Sequence, residues 1–152
     1  MINLEPLWLT AKLALITTII LLVVAIPLCY WLSYSRFKLK AVIEALISLP
    51  LVLPPSVLGF YLLIAFSPEN AFGKFLSDYF DLRLVFSFEG LILASVLYSL
   101  PFMVNPILSG LKNLPAALQE ASFTLGKSRL TTLTKILLPN IRTSILTGII
   151  MT

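Results

Sequence analysis

Three long stretches of this chain, residues 13–35, 45–68 and 90–111, contain no Asp, Glu, Lys or Arg. A hydrocarbon core of about 30 Å is crossed by about 20 helical residues, each rising about 1.5 Å, and every one of these stretches is long enough. The fold class expected is therefore all-α: a polytopic membrane helix bundle with spans at about 8–34, 43–67 and 88–110, in one domain covering residues 1–152. Beyond Arg142 the chain is again uncharged up to Thr152. A fourth span is expected to start at about 141, and so short a run cannot finish it, which predicts a truncated form of a longer protein. Composition agrees with the membrane class: charged residues make up 12% of the chain, about half the usual share of a soluble domain. The N-terminus does not read as a cleaved signal. Its apolar run is too long, Glu5 stands where basic residues are wanted, and no small-residue cleavage site follows.

Loop charges give an orientation. The loop after the first span holds Arg36, Lys38 and Lys40 with no acid. The segment after the third holds Lys112, Lys127, Arg129, Lys135 and Arg142 against Glu120. The intervening loop, about 67–89, holds Lys74 and Arg83 against Glu69, Asp78, Asp81 and Glu89. By the positive-inside rule the first two face the cytoplasm, and the N-terminus and middle loop face out. The basic residues thus report topology in a cytoplasmic (inner) membrane, with the lipid bilayer as a partner and nucleic acid not expected. There is no histidine, and Cys29 is the single cysteine, set in an apolar run. That excludes an internal disulfide and leaves no metal cluster. Cys29 is read as a small buried apolar residue.

The second span contains Pro50, Pro54, Pro55 and Gly59. Each proline removes a backbone donor and pushes the preceding residue out of helical angles. Lipid tolerates this only where protein or water satisfies the freed carbonyls, so a break lining a cavity is expected there. The third span carries Pro101, Asn105 and Pro106, for which a simple kink is an equal reading. Ser56, Ser95, Ser99 and Asn105, with the three prolines, are candidates for a translocation path. In the outer loop, Phe72, Phe75, Tyr79 and Phe80 are spaced for a short interfacial helix. Glu44, at the inner end of the second span, is expected to snorkel or to pair with Arg36 or Lys40.

The stretch Glu120–Pro139 is of another kind. Asn113 can cap a short helix with Pro115 in its first turn. Leu118, Ala121, Ser122 and Leu125 share one face of it, and Gly126 stands where a left-handed cap is wanted. Ser128 can cap a second helix with an apolar stripe of Leu130, Leu133, Leu137 and Ile141, opposed by Arg129 and Lys135. Pro139 then interrupts the pattern. The geometry expected is a cytoplasmic helix–turn–helix over about 112–140, lying flat under the membrane.

Glu120-Ala121-Ser122, three residues, Gly126, nine residues, Ile136-x-Leu138-Pro139 resembles the EAA motif of ABC importer permeases, with Ser122 in place of the second Ala. The stretches LPLVLPPSVLGFYLL and SLPFMVNPILSGLKNLPAALQEASFTLG are similar to the molybdate-type members of that family. The resemblance implies a permease that pairs with a second copy and takes an oxyanion from an extracytoplasmic substrate-binding protein. It also implies a coupling helix near 115–125 that docks on a separate ATPase subunit. ATP and magnesium would belong to that ATPase, and this chain would hold no cofactor and no catalytic residue. In that scheme Glu120 contacts the ATPase or caps the turn, while Ala121 and Ser122 allow close approach. Leu125, Ile136 and Leu138 complete the coupling surface, Gly126 turns the chain, and Pro139 sets where the next span begins. Molybdate is the expected cargo, with tungstate, sulfate and thiosulfate as alternatives. A secondary transporter would want ionisable groups at mid-depth, and the spans have none, although the proline break suits one. A membrane enzyme would need a clustered nucleophile, acid or metal set, which this sequence lacks. A third rival is a truncation product whose half-built bundle closes no path.

Overall fold

The computed structural model describes residues 4–35, 37–80 and 84–152. Nine α-helical segments are found among them: α1 (Glu5–Tyr34), α2 (Lys40–Val52), α3 (Pro55–Phe66), α4 (Ala71–Phe80), α5 (Phe88–Lys112), α6 (Ala116–Thr124), α7 (Arg129–Thr132), α8 (Leu138–Asn140) and α9 (Arg142–Met151). A π-helical turn, Leu133–Leu137, joins α7 to α8. By length and apolarity α1 and α5 can each cross a membrane, and α2 with α3 makes a third crossing if that bent pair is one span.

The centre of the bundle is α1 against α5. Thr17, Leu21, Ala25, Cys29 and Leu32 recur every three or four residues and form the buried stripe of α1, as helical periodicity requires. It meets Met103, Val104, Ile107, Leu108 and Leu111 of α5 in one cluster. The two helices run parallel. Lys12 Nζ lies 5.4 Å from the centre of the Phe88 ring near their starts, and the Cys29 thiol donates weakly to Val104 O at 3.5 Å further along. Cys29 is wholly buried and apolar in role, as its surroundings in the sequence suggest. Many remaining apolar side chains point outward, among them Leu15, Ile19, Val23, Leu46 and Leu91. A water-soluble surface would not carry so many, whereas a lipid-facing one does.

Beside this contact α9 runs antiparallel to α5: Gly110 lies against Ser144 and Ile141, Gly148 lies against Met103, and the Ser99 hydroxyl reaches Thr152 O at 3.5 Å. At the far end α2 is pinned to α5 by Lys112, whose Nζ lies 2.8 Å from both carboxylate oxygens of Glu44. Glu44 thus pairs with Lys112 instead of the expected Lys40, because α2 packs on the end of α5. Arg36, the other expected partner, lies outside the described residues. The loop into α2 and the segment 112–141 share one end of the bundle, and the start of α1, α4 and the start of α5 share the other.

The expected span 43–67 is two helices bent by 109°. Leu53 (ψ 134°) and Pro54 (ψ 139°) are both extended, since each precedes a proline and is denied helical angles. Pro55 then opens α3 at a position where no donor is needed. Pro50 does not break the chain and sits inside α2. Pro101 and Pro106 likewise lie within a continuous α5, so they are absorbed without a break. The short outer helix is present as α4, with Phe72 and Phe75 more than half exposed; the side chains of Tyr79 and Phe80 lie outside the described residues.

The α5–α9 contact depends on the missing side chain of Gly110. A methyl there would lie 2.8 Å from Ser144 Cβ and 3.3 Å from Ile141 Cβ, so the helices would have to separate. Gly110→Ala is expected to destabilise the bundle by about 1–3 kcal/mol, read as a lowered unfolding midpoint in detergent. Gly59→Ala, where a methyl meets nothing within 4 Å, is the control and should be neutral or slightly stabilising.

Candidate functional site

The segment after α5 begins differently from the sequence reading. Asn113 has near-helical angles (φ −85°, ψ −7°) and ends α5; it does not cap the next helix. Pro115 is the residue before α6, and no side chain caps that helix. Proline suits the position, since its fixed φ starts a helix and its missing N–H is no loss there.

The other end of α6 is closed as expected. Gly126 has φ +70°, the left-handed conformation that costs glycine no Cβ clash. Its N–H bonds Phe123 O at 3.0 Å, and the N–H of Lys127 bonds Ser122 O at 3.1 Å. Those two bonds are the Schellman pattern, which satisfies the last carbonyls and reverses the chain. Ser128 then caps α7, its Oγ accepting from the Thr131 N–H at 3.2 Å.

A buried hydroxyl pair locks this turn. Ser122 Oγ and Thr132 Oγ1 are 2.7 Å apart, and the two residues are 1% and 0% exposed. Thr132 Oγ1 also donates to Ser128 O at 3.0 Å, so the Ser122 hydroxyl is the donor to Thr132. The residue that departs from the EAA pattern therefore ties α6 to α7. Of the four residues expected on one face, only Ser122 and Leu118 turn inward. Ala121 and Leu125 are exposed, Leu125 at 74%, on the outward side with Glu120.

The following helix is not one amphipathic stripe. Leu133, Leu137 and Ile141 are buried, but Leu130 is 74% exposed. The π turn explains the difference. Pro139 has no N–H to give the preceding turn, and the Leu138 N–H bonds Leu133 O instead. The wider turn keeps Leu133 and Leu137 in line with the core while α7, before it, rotates Leu130 out of phase. Ile136 and Leu138 are half-buried along this segment, Lys135 and Pro139 are exposed, and α9 starts at Arg142.

The candidate path residues do not converge on one place. Ser95 and Ser99 come together in a groove of about 370 Å³ with Thr10, Thr17, Tyr98 and Thr152. Ser56 lines a separate, apolar cavity of about 480 Å³ beside Phe60, Phe66 and Leu91. Pro54 and Pro55 are exposed at the α2–α3 corner, Pro50 is half-buried, and Asn105 is exposed on α5 outside both cavities. Thr17 was missed. It is 2% exposed, and its hydroxyl makes no hydrogen bond among the described residues. The signal was available, because Thr17 continues the four-residue spacing of Leu21, Ala25 and Cys29.

The family model for the inner membrane component of binding-protein-dependent transport systems matches residues 25–152. The chain belongs to this family. Its similarity to the molybdenum transport system permease protein ModB of Azotobacter vinelandii is 40% identity over 98% of the chain and 66% of that protein. For ModB of Haemophilus influenzae the figures are 35%, 84% and 56%. For the probable sulfate transport system permease protein cysT of a Helicosporidium species they are 33%, 95% and 53%. The chain thus spans between about half and two thirds of the length of these relatives. Family members are permease subunits of transporters, not enzymes.

The hydroxyl pair makes an asymmetric prediction. Thr132→Val leaves the Ser122 hydroxyl buried without its acceptor and should cost about 1–3 kcal/mol, whereas Ser122→Ala removes the donor itself and should cost about 1 kcal/mol or less. Unfolding midpoints of the two variants, with the double variant closing the cycle, measure the difference.

Proposed function

We propose that this chain is the membrane-spanning permease part of an ATP-driven importer, with α6 as the element that engages a separate ATPase subunit. The observation that carries the reading is the form of α6. It is short, is closed by a left-handed glycine, is held from behind by Ser122 and Thr132, and turns Glu120, Ala121 and Leu125 outward. A lever needs this combination: a contact face on one side and a rigid tie on the other. Glu120 offers a charge-assisted contact to the ATPase surface, and Ala121, being small, allows close approach. Movement of α6 passes through Ser122–Thr132 into α7, then along the π turn past Ile136, Leu138 and Pro139 into α9, which packs on α5. Family membership supports an ATPase and a substrate-binding protein as partners, and ATP and magnesium act in the ATPase.

In this reading two copies pair around the path, and the end bearing Lys112, Lys127 and Arg129 faces the cytoplasm with the N-terminus outside. The cargo is a tetrahedral oxyanion, molybdate first because of the likeness to ModB, with sulfate next because of the likeness to cysT. Of the candidate path donors, Ser95 and Ser99 share one groove and can hand an anion on without a fixed charge to trap it. The helices α1, α5 and the bent α2–α3 pair form the crossings.

Glu120→Lys and Gly126→Val, made in the full-length transporter, test the reading. Each is expected to lower ATP-dependent molybdate uptake by at least about tenfold, equivalent to about 1.4 kcal/mol or more of lost coupling, with the amount of permease in the membrane unchanged. Uptake by both variants at the parental rate would refute the coupling role.

A further inference from the structure

A cavity of about 470 Å³ lies where the last turn of α1 meets α6 and α7. Tyr30, Trp31, Tyr34 and Ser35 form its α1 wall. Gln119 and Phe123 line it from α6, and Arg129 from the start of α7. Among the described residues no carboxylate lines it; Glu120, next to Gln119, does not. All the polar groups named here can donate: the Arg129 guanidinium and the Trp31 indole N–H only donate, while the Gln119 amide and the phenol hydroxyls of Tyr30 and Tyr34 can also accept. Among the described residues none of the side-chain polar groups of Tyr30, Trp31, Tyr34, Gln119 and Arg129 has a hydrogen-bond or ion-pair partner. Ser35 Oγ alone is engaged, accepting from the Phe37 N–H. Arg129 is the one charged side chain among the described lining residues, and a guanidinium with donors around it and no carboxylate beside it makes a site that an anion completes.

Two further features narrow the anion. Arginine matches the oxygens of a phosphate with two parallel N–H donors, which favours a tetrahedral oxyanion over a point charge such as chloride. The rings of Trp31 and Phe123 are 44% and 42% exposed, so an apolar surface stands beside the polar one. Trp and Tyr favour the headgroup level of a bilayer, and basic pockets between membrane helices accept lipid headgroups. We propose that this cavity binds a tetrahedral phosphate group, of the kind an anionic phospholipid presents, between α1 and the α6–α7 turn. An occupant there bridges α1 to α6, and the site stands whether or not α6 engages an ATPase.

Trp31 makes the site self-reporting, because the chain has two tryptophans and Trp8 lies at the opposite end of α1. The full chain carrying Trp8→Phe, in maltoside micelles, is titrated with short-chain phosphatidylglycerol, short-chain phosphatidylcholine or inorganic phosphate while Trp31 emission is followed. Saturation by phosphatidylglycerol alone identifies a lipid headgroup. Saturation by inorganic phosphate at the same concentrations identifies a free anion at the same site. In either case Arg129→Gln should raise the half-saturation concentration about tenfold or more. Lys127→Gln, which removes an equal charge from an exposed position outside the cavity, should change it less than about twofold. No saturable change with either ligand, or equal weakening by the two variants, overturns the proposal.

Discussion

Within lipid, apolar side chains gain little by leaving their solvent for one another, and helices associate through close packing and polar ties. The parallel contact of α1 and α5 meets that constraint, and the other elements are hung from it. Ala25 and Cys29 are wholly buried at its centre, and their small size lets the backbones approach. Next to it α5 accepts α9 through Gly110 and Gly148, again at positions without bulk. Loss of register between α1 and α5 would displace α9, and with it the α6–α7 turn. The bundle is thus a set of close backbone approaches around α5, flanked by the Lys112–Glu44 pair at one end and Lys12 over Phe88 at the other.

The segment between α5 and α9 works by different physics. It is held by backbone hydrogen bonds at Gly126, one buried hydroxyl pair and three leucine or isoleucine side chains set into the bundle. Its outward surface is otherwise open. A departure from the usual motif at Ser122 adds a polar tie where a methyl would only pack, and the tie costs nothing in unsatisfied groups because Thr132 is already anchored to Ser128 O.

Much of this was legible in the residues. The charge-free runs end or begin within two residues of the C-terminus of α1 and of both ends of α5, because lipid leaves a chain few alternatives there, whereas α1 begins at Glu5, eight residues before its run. The left-handed turn at Gly126 and the corner at Pro54–Pro55 were readable because glycine and proline act on their own backbone. What was not readable depends on neighbours. Asn113 is a good capping residue, yet it closes α5 instead of opening α6. Leu130 fits the apolar period, but the π turn that follows it resets the phase. A linear pattern with a fixed period has no place for that extra residue, and only the packing of Leu133 and Leu137 shows it. Glu44 finds Lys112 across 68 residues of sequence. The path candidates scatter over two cavities and an outer face because residue type alone carries no information about which sides of α3 and α5 face each other.

The corner between α2 and α3 has a mechanical meaning. Proline holds φ near one value, and Pro54 and Pro55 stand side by side where the chain turns through 109°. A glycine corner would swivel; this one behaves more like a welded bracket. A small tilt of α2 about its own foot, where Lys112 grips it, is therefore handed on to the far tip of α3 instead of being absorbed at the bend.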